Sequence, residues 1–438
     1  MKRFLTIVGL LACITVSAQD KIWTLSDCIQ YALDNNITIR QSELDVQQKE
    51  ISLNTEQNRR LPGVSASASE NLSFGRGLTE DNIYTRANTT STSLSLGASV
   101  PIFNGFDINN SIKMSKINLA ASTANLENAK NDIRIAVAGA YIQILYAKSL
   151  LEVAVHQANS DSLQLERLIA MEQVGKANAS QVASQQTAYS ESLYRVTQAK
   201  GNLDIDILNL TQLLELKSPQ SFDIAIPNTS AYEIQPLIKP EEIFAEAVET
   251  KPEITYEKLM LEYADVNIKK AKGGYMPSLS LSGGLGSNFY TLSGKENTPF
   301  GQQIKNNFSQ YIGLSLNVPI FSKMSNRNAV KSAKLSFDNQ ALQLENAKKT
   351  LFKEIQQAYY NAVTAQSKYL SSRQTAQSAK ISFDLMTEKY ENGKANITEY
   401  NEAKNSYLTA EANFLSARYE CLYDTKLLDF YRGLEIDF

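Results

Sequence analysis

The 438-residue chain carries 43 basic and 46 acidic residues, one histidine and three scattered cysteines. Charge this balanced excludes a nucleic-acid partner held by bulk electrostatics. One histidine and distant cysteines leave no transition-metal ligand set, so neither a metal nor a cofactor is expected.

The first 18 residues read as a signal peptide. Lys2 and Arg3 are basic, Phe4 to Val16 is apolar, and Val16-Ser17-Ala18 is a small-residue cleavage site before Gln19. A second reading takes Leu10-Leu11-Ala12-Cys13 as a lipoprotein signal with a lipid anchor at Cys13. Beyond the leader no apolar run approaches 18 residues, so no transmembrane helix is expected. That says nothing against a β-barrel, whose strands are short and alternating. Cys28 and Cys421 would remain, either as a disulfide joining the chain ends or as two half-buried thiols. His156 falls on a helix surface.

Downstream of the leader the sequence repeats. VPIF occurs at 100–103 and 318–321, LENAK at 126–130 and 344–348, GKAN at 175–178 and 393–396, all at an offset of 218. Nearer the N-terminus the offset is 215, where Leu61-Pro62 matches Met276-Pro277. A fixed register over this length means one structural unit present twice. The first repeat spans 19–216 and the second 240–438, joined by a proline-bearing linker at 217–239.

Each repeat opens with a helix that is interrupted near Asn35-Asn36 or Pro252 and stops before Pro62 or Pro277. Two strands follow, at about 63–75 and 91–101, then at about 278–289 and 309–319. Their Leu, Val and Ala residues alternate with Ser and Gly, which gives one apolar and one wet face. About ten residues per strand is enough to cross a membrane at a tilt. A long helix comes next, at about 110–173 and 325–391. At 1.5 Å per residue each would be roughly 90–100 Å long.

These helices carry a heptad seam: Ile133, Val137, Ala140, Ile144, Ala147, Leu151, Ala154, Ala158, Leu165 and Leu168, broken at Asp161. The second repeat continues the frame from Leu351 to Met386. So many Ala and Ser residues bury little area, which suits a helix with two neighbours. Gly175 and Gly393 read as C-caps, after which return helices run from about 179 to 216 and 397 to 431.

Four strands do not close a barrel, and an open edge is not tolerated in hydrocarbon. Three copies would supply twelve. The expected fold is a mixed α/β membrane protein of long helical hairpins forming an α-barrel in a homotrimer, with four strands per chain forming a shared transmembrane β-barrel. Pro101 and Pro319 would mark the joint between barrel and helices, because proline removes a ladder donor.

The stretches WTLSDCIQYALDNN, RRLPGVSASAS, GGYMPSLSLSG, the paired VPIF segments and YENGKANITEYNEAKNSYLTAEANF resemble the TolC-type outer membrane efflux protein family, also called outer membrane factors. Each motif is weak alone, but their order and doubling are specific, and the resemblance covers nearly all of the mature chain. The resemblance implies a homotrimeric outer-membrane exit duct with its helices in the periplasm. It would serve a tripartite efflux or type I secretion system. It implies a periplasmic adaptor protein and an inner-membrane pump of RND or ABC type as partners. It also implies that Glu399 and Glu402 contribute to a periplasmic gate, where Gln181 and Ser184 stand in the first repeat. Gly175, Lys176, Gly393 and Lys394 are the adaptor-contact candidates at the tips.

An enzyme is not expected, since no cleft motif or convergent acid pair is visible. Gly283-Gly284-Leu285-Gly286 lies among strand residues with no helix after it, so it fails as a nucleotide loop. The remaining alternative is an envelope-anchored coiled-coil structural or adhesion protein without channel activity.

Overall fold

The structure, a computed structural model, describes residues 22–78, 83–86, 88–217, 222–227, 234 and 236–437. The signal peptide, Cys13 and much of the 217–239 linker lie outside the described residues.

The first repeat runs β1 (Ile22–Trp23), α1 (Leu25–Asn35), α2 (Ile37–Asn58), β2 (Gly63–Ser73), a small hairpin of β3 (Arg76–Leu78) and β4 (Tyr84–Arg86), β5 (Thr89–Asn104), α3 (Asp107–Gln173) and α4 (Ala179–Leu213). After β6 (Asp223–Ile224) the second repeat runs α5 (Pro240–Thr250), α6 (Pro252–Gly273), β7 (Ser278–Leu292), α7 (Phe300–Asn306), β8 (Ser309–Asn317), α8 (Ser325–Glu391) and α9 (Ile397–Tyr431). Matched helices have equal lengths: 11 residues for α1 and α5, 22 for α2 and α6, 67 for α3 and α8, 35 for α4 and α9. The 215 offset holds up to the starts of β2 and β7, and the 218 offset from α3 and α8 onward. The three-residue difference therefore falls between the strands of each pair.

Local chemistry sets the helix ends. Thr24 caps α1 in a capping box with Asp27. Asn36 breaks α1 from α2 and ties the break down. Its Oδ1 accepts from the Thr38 N–H at 2.9 Å, and its Nδ2 donates to the Leu213 carbonyl at 3.0 Å. In the second repeat Pro252 occupies the first turn of α6, where its missing N–H costs nothing.

The residues fall into two compact units. One comprises the chain up to Gln41, Asn128–Thr250 and Thr350 onward. Its core is the heptad seam. Ile133, Val137, Ile144, Ala147, Leu165 and Leu168 are buried, as are Leu351, Ile355, Ala358, Ala362 and Ala365. Tyr141 closes one end of this core: its hydroxyl donates to the Ala225 carbonyl at 2.7 Å, beside the parallel β1–β6 bridge. Cys28 and Cys421 are buried thiols, the latter packed with Ala365, Tyr369 and Ala417. His156 is on the surface beside Glu152. By length and composition α3 does contain one window apolar enough to cross a membrane, contrary to the sequence expectation, and 39% of that window is buried. Apolar residues on two faces of α3, Val137 and Ile144 on one and Ile142 and Leu145 on the other, account for it.

The other unit, Ser42–Glu127 and Lys251–Lys349, holds a four-stranded antiparallel sheet in the order β2-β5-β7-β8. Register places like beside like. Ala66 faces Leu96, Leu96 faces Leu285, and Leu281 faces Leu314, while Ser67 faces Ser95 and Ser99 faces Ser282. The glycine run is sheet: a Cβ on Gly284 would meet the Tyr311 ring at 2.8 Å, so the ring fills its place.

The two VPIF segments differ. The sequence pattern predicts a strand end at both, but β5 continues through Pro101 to Asn104. A bulge between Pro101 and Phe103 changes the register, so Phe103 faces Leu279 on the apolar side. By contrast β8 stops at Asn317, and Val318 to Phe321 have no ladder partner.

Candidate functional site

Two places hold the residues that the sequence singles out. The first is the pair of helix turns between α3 and α4 and between α8 and α9. Gly175 and Gly393 adopt φ of +72° and +70°, the left-handed region that glycine enters without strain. Next to each, the Lys176 N–H donates to the Met171 carbonyl at 2.8 Å and the Lys394 N–H to the Lys389 carbonyl at 2.8 Å. These glycines close the helices, and both lysines are exposed beside them.

Glu399 belongs to a capping box. The Asn396 N–H donates to its carboxylate at 2.9 Å, and its own N–H donates to Asn396 Oδ1 at 2.9 Å. In the first repeat Asn178 and Gln181 make the same pair of bonds. The cap therefore does not need a charge, and Glu399 adds one to an exposed first turn. Glu402 is exposed one turn along. Behind this turn Tyr400 is stacked on Tyr390 at 4.9 Å and lies near Phe383 at 5.6 Å. Burial, then the nearby Asp161, Tyr390 and Glu391, pushes the Tyr400 phenol up to about 12.

Asp161, the break in the heptad, is buried and paired with Lys404 of α9. Gln185 of α4 donates to the Asp161 carbonyl at 3.2 Å. Asp161 Oδ2 and Gln185 Oε1 have no hydrogen-bond partner. Sequence reading missed this cluster. The heptad break was its signal, but Lys404 is distant in sequence and looks like any helix-surface lysine. Arg167 of α3 also bonds Glu391 of α8, at 3.0 Å, on the surface.

The second place is the joint between strand and long helix. Gly105 and Phe106 have φ of +60° and +63°, and their counterparts Lys323 and Met324 have +50° and +66°. Both repeats thus leave the sheet by the same left-handed step. Pro101 and Pro319 lie a few residues upstream of it. A Cβ on Gly105 would meet the Gly273 carbonyl oxygen at 2.4 Å, so this close approach requires glycine. The sequence reading named the prolines and missed the step, because Lys323 carries no turn signature.

Among the described residues no group of His, Cys, Asp or Glu could hold a metal ion. The sequence profile of the outer membrane efflux protein family matches residues 28–215 and again 244–431. The chain belongs to that family. Each match covers one of the structural repeats. Curated relatives include the outer membrane protein TolC of Escherichia coli, 24% identical over 369 residues, covering 82% of this chain and 72% of TolC. The probable outer membrane lipoprotein SilC of Salmonella typhimurium is 23% identical over 336 residues, covering 76% and 68%.

Among solved structures, the CmeC outer membrane channel of Campylobacter jejuni superposes with a TM-score of 0.77 at 19% identity, covering 94% of this chain and 87% of CmeC. The MtrE outer membrane channel of Neisseria gonorrhoeae, in its open state, gives 0.75 at 20% identity, covering 94% and 88%. The fold of this family member is that of these channels. It is an outer membrane protein of transport and not an enzyme.

Proposed function

We propose that three copies of this chain form the outer-membrane exit duct of a tripartite efflux or type I secretion system. The observation that carries the reading is the four-stranded sheet. It has one apolar face and two open edges, β2 and β8. An open lipid-facing edge leaves backbone groups unpaired where no water can reach them. Closure by three copies gives a twelve-stranded barrel, and the paired helical hairpins then form the tunnel.

In this reading the turns at Gly175-Lys176 and Gly393-Lys394 are the adaptor contacts, and an inner-membrane pump of RND or ABC type delivers the cargo. Glu399 and Glu402, three copies of each, set rings of negative charge at the entrance and favour cations. The Asn178–Gln181 box makes the same pair of bonds without a charge, so the cap's hydrogen bonds leave room for the charge of Glu399 to act at the entrance as well as on the helix dipole.

Planar-bilayer recording of the purified protein tests the duct. Discrete, cation-leaning conductance is expected. A protein that never conducts, even with its tips loosened, belongs instead to the coiled-coil structural reading. Glu399→Gln with Glu402→Gln should keep the fold and weaken both cation preference and block by multivalent cations. Unchanged selectivity would remove these two residues from the gate.

A further inference from the structure

The wet face of the sheet carries no charge. The four strands hold one charged residue, Glu70, which alternation puts on the apolar face with Ala68 and Leu72, and Thr92 Oγ1 donates to its carboxylate. Paired residues line up in rows across the strands. One row on the wet face is Ser65, Gly97, Gly284 and Tyr311. The wet rows on either side of it, from Gly63 to Gly313 and from Ser67 to Ser309, hold only serine and glycine. Tyr311 is the single large side chain in this middle part of the wet face.

The first repeat builds the same place without an aromatic residue. The offsets of 215 and 218 carry Gly284 and Tyr311 onto Ser69 and Ser93, and these two serines pair directly. One row away from Tyr311, Gly286 pairs with Ser309. A glycine in β7 therefore does not by itself call for a tyrosine opposite.

A ring beside a glycine can make good the missing side chain, and Tyr311 does so by leaning across Gly284. A Cβ at Gly284 would lie 2.8 Å from its Cε1 and 3.2 Å from its Cζ. This contact occupies only part of the ring, because Tyr311 is still 63% exposed. Gly97 follows Gly284 in the row, so the wall beside the ring is low. The sheet thus presents an open aromatic surface in a field of serine and glycine.

We propose that the open surface of Tyr311 is a stacking site for flat aromatic molecules that pass through the duct. The inference rests on the duct reading above, in which the wet face lines the pore. A neutral wall of serine and glycine offers hydrogen bonds to any polar molecule and sorts none by charge. A phenol ring adds what serine lacks, a π-face on which another ring packs in an offset stack. Such stacking accepts many partners, since every aromatic molecule has a π-face. Charge is then sensed at the helix turns, and ring shape in the barrel.

Block of the single-channel current by a matched pair of cations tests the site. Phenyltrimethylammonium and cyclohexyltrimethylammonium carry the same charge on a six-membered ring, and only the first ring is flat and aromatic. Acidic groups at the turns meet the two alike. With the full-length protein in planar bilayers, the phenyl compound should block at about two- to tenfold lower concentration than the cyclohexyl one. Tyr311→Phe keeps the ring and should keep this ratio. Tyr311→Ser copies the Gly286–Ser309 pair of the next row, and should bring the ratio to about one while the pore still conducts. Equal block by the two compounds in the parent protein, or an unchanged ratio in Tyr311→Ser, overturns the stacking site and leaves the duct standing. A protein that never conducts overturns both.

Discussion

Removing the ammonium of Lys404 should cost more than removing any surface charge in the chain. Its side chain is 7% exposed and that of Asp161 only 3%. In Lys404→Met the length is kept and the charge is lost, so a carboxylate is left buried with Oδ2 already without a partner. Breaking a buried pair in this way costs about 3–5 kcal/mol. An exposed pair such as Arg167–Glu391 would give about 0–1 kcal/mol. Thermal unfolding in detergent, followed by circular dichroism at one fixed scan rate, should show the midpoint fall by on the order of 5 °C. Asp161→Leu with Lys404→Met removes both charges and should recover most of the loss or exceed the parent, since apolar replacements of buried pairs are neutral to stabilising. A shift of less than about 1 °C in Lys404→Met would refute a buried, stabilising ammonium at this place. A double variant no better than the single would do the same, because the coupling between the two residues would then be absent.

Gly105→Ala combines a positive φ with a contact on the Gly273 carbonyl. It should lower the yield of folded protein in the outer membrane fraction, whereas Lys323→Gly at the counterpart should stabilise by about 0.5–1 kcal/mol, read as a raised melting midpoint. Tyr141→Phe strips the Ala225 carbonyl of its donor and should cost about 1 kcal/mol, again by thermal melting. Asn396→Ala removes a cap and should cost about 1 kcal/mol, with faster proteolytic nicking at the α8–α9 turn as the readout. Burial, with Glu420 nearby, pushes the Asp424 carboxyl up to about 6. The native state therefore holds this proton more tightly than the unfolded chain, and the penalty on folding is absent below about pH 3.9 and complete above the folded value. Asp424→Asn should raise the melting midpoint at pH 7.5 and leave it nearly unchanged at pH 4, and an equal gain at both would reject the assignment.

The repeat made much of this legible. Pro62 and Pro277 stop helices, Gly175 and Gly393 close them, and the Leu–Ser alternation gives strand faces, because each of these signals acts on its immediate neighbours. What stayed hidden depends on distant partners. Asp161 looks like a flaw in a heptad until Lys404 is seen beside it. The VPIF segments are identical in sequence, yet one is ladder and the other is not, since the difference is made by β7 and not by the four residues themselves. Lys323 takes the left-handed step that Gly105 takes, and nothing local in its sequence announces it.

The three-residue difference between the repeats also bears on engineering. Every matched helix length and both hairpin registers are the same in the two repeats, and only the connections from β2 to β5 and from β7 to β8 differ in length. A small hairpin occupies one and α7 the other. These connections are therefore where foreign sequence can be displayed. A peptide spliced between β2 and β5 leaves the pairings of the four-stranded sheet in place, while the same peptide between a strand and its long helix would put one repeat out of phase with the other.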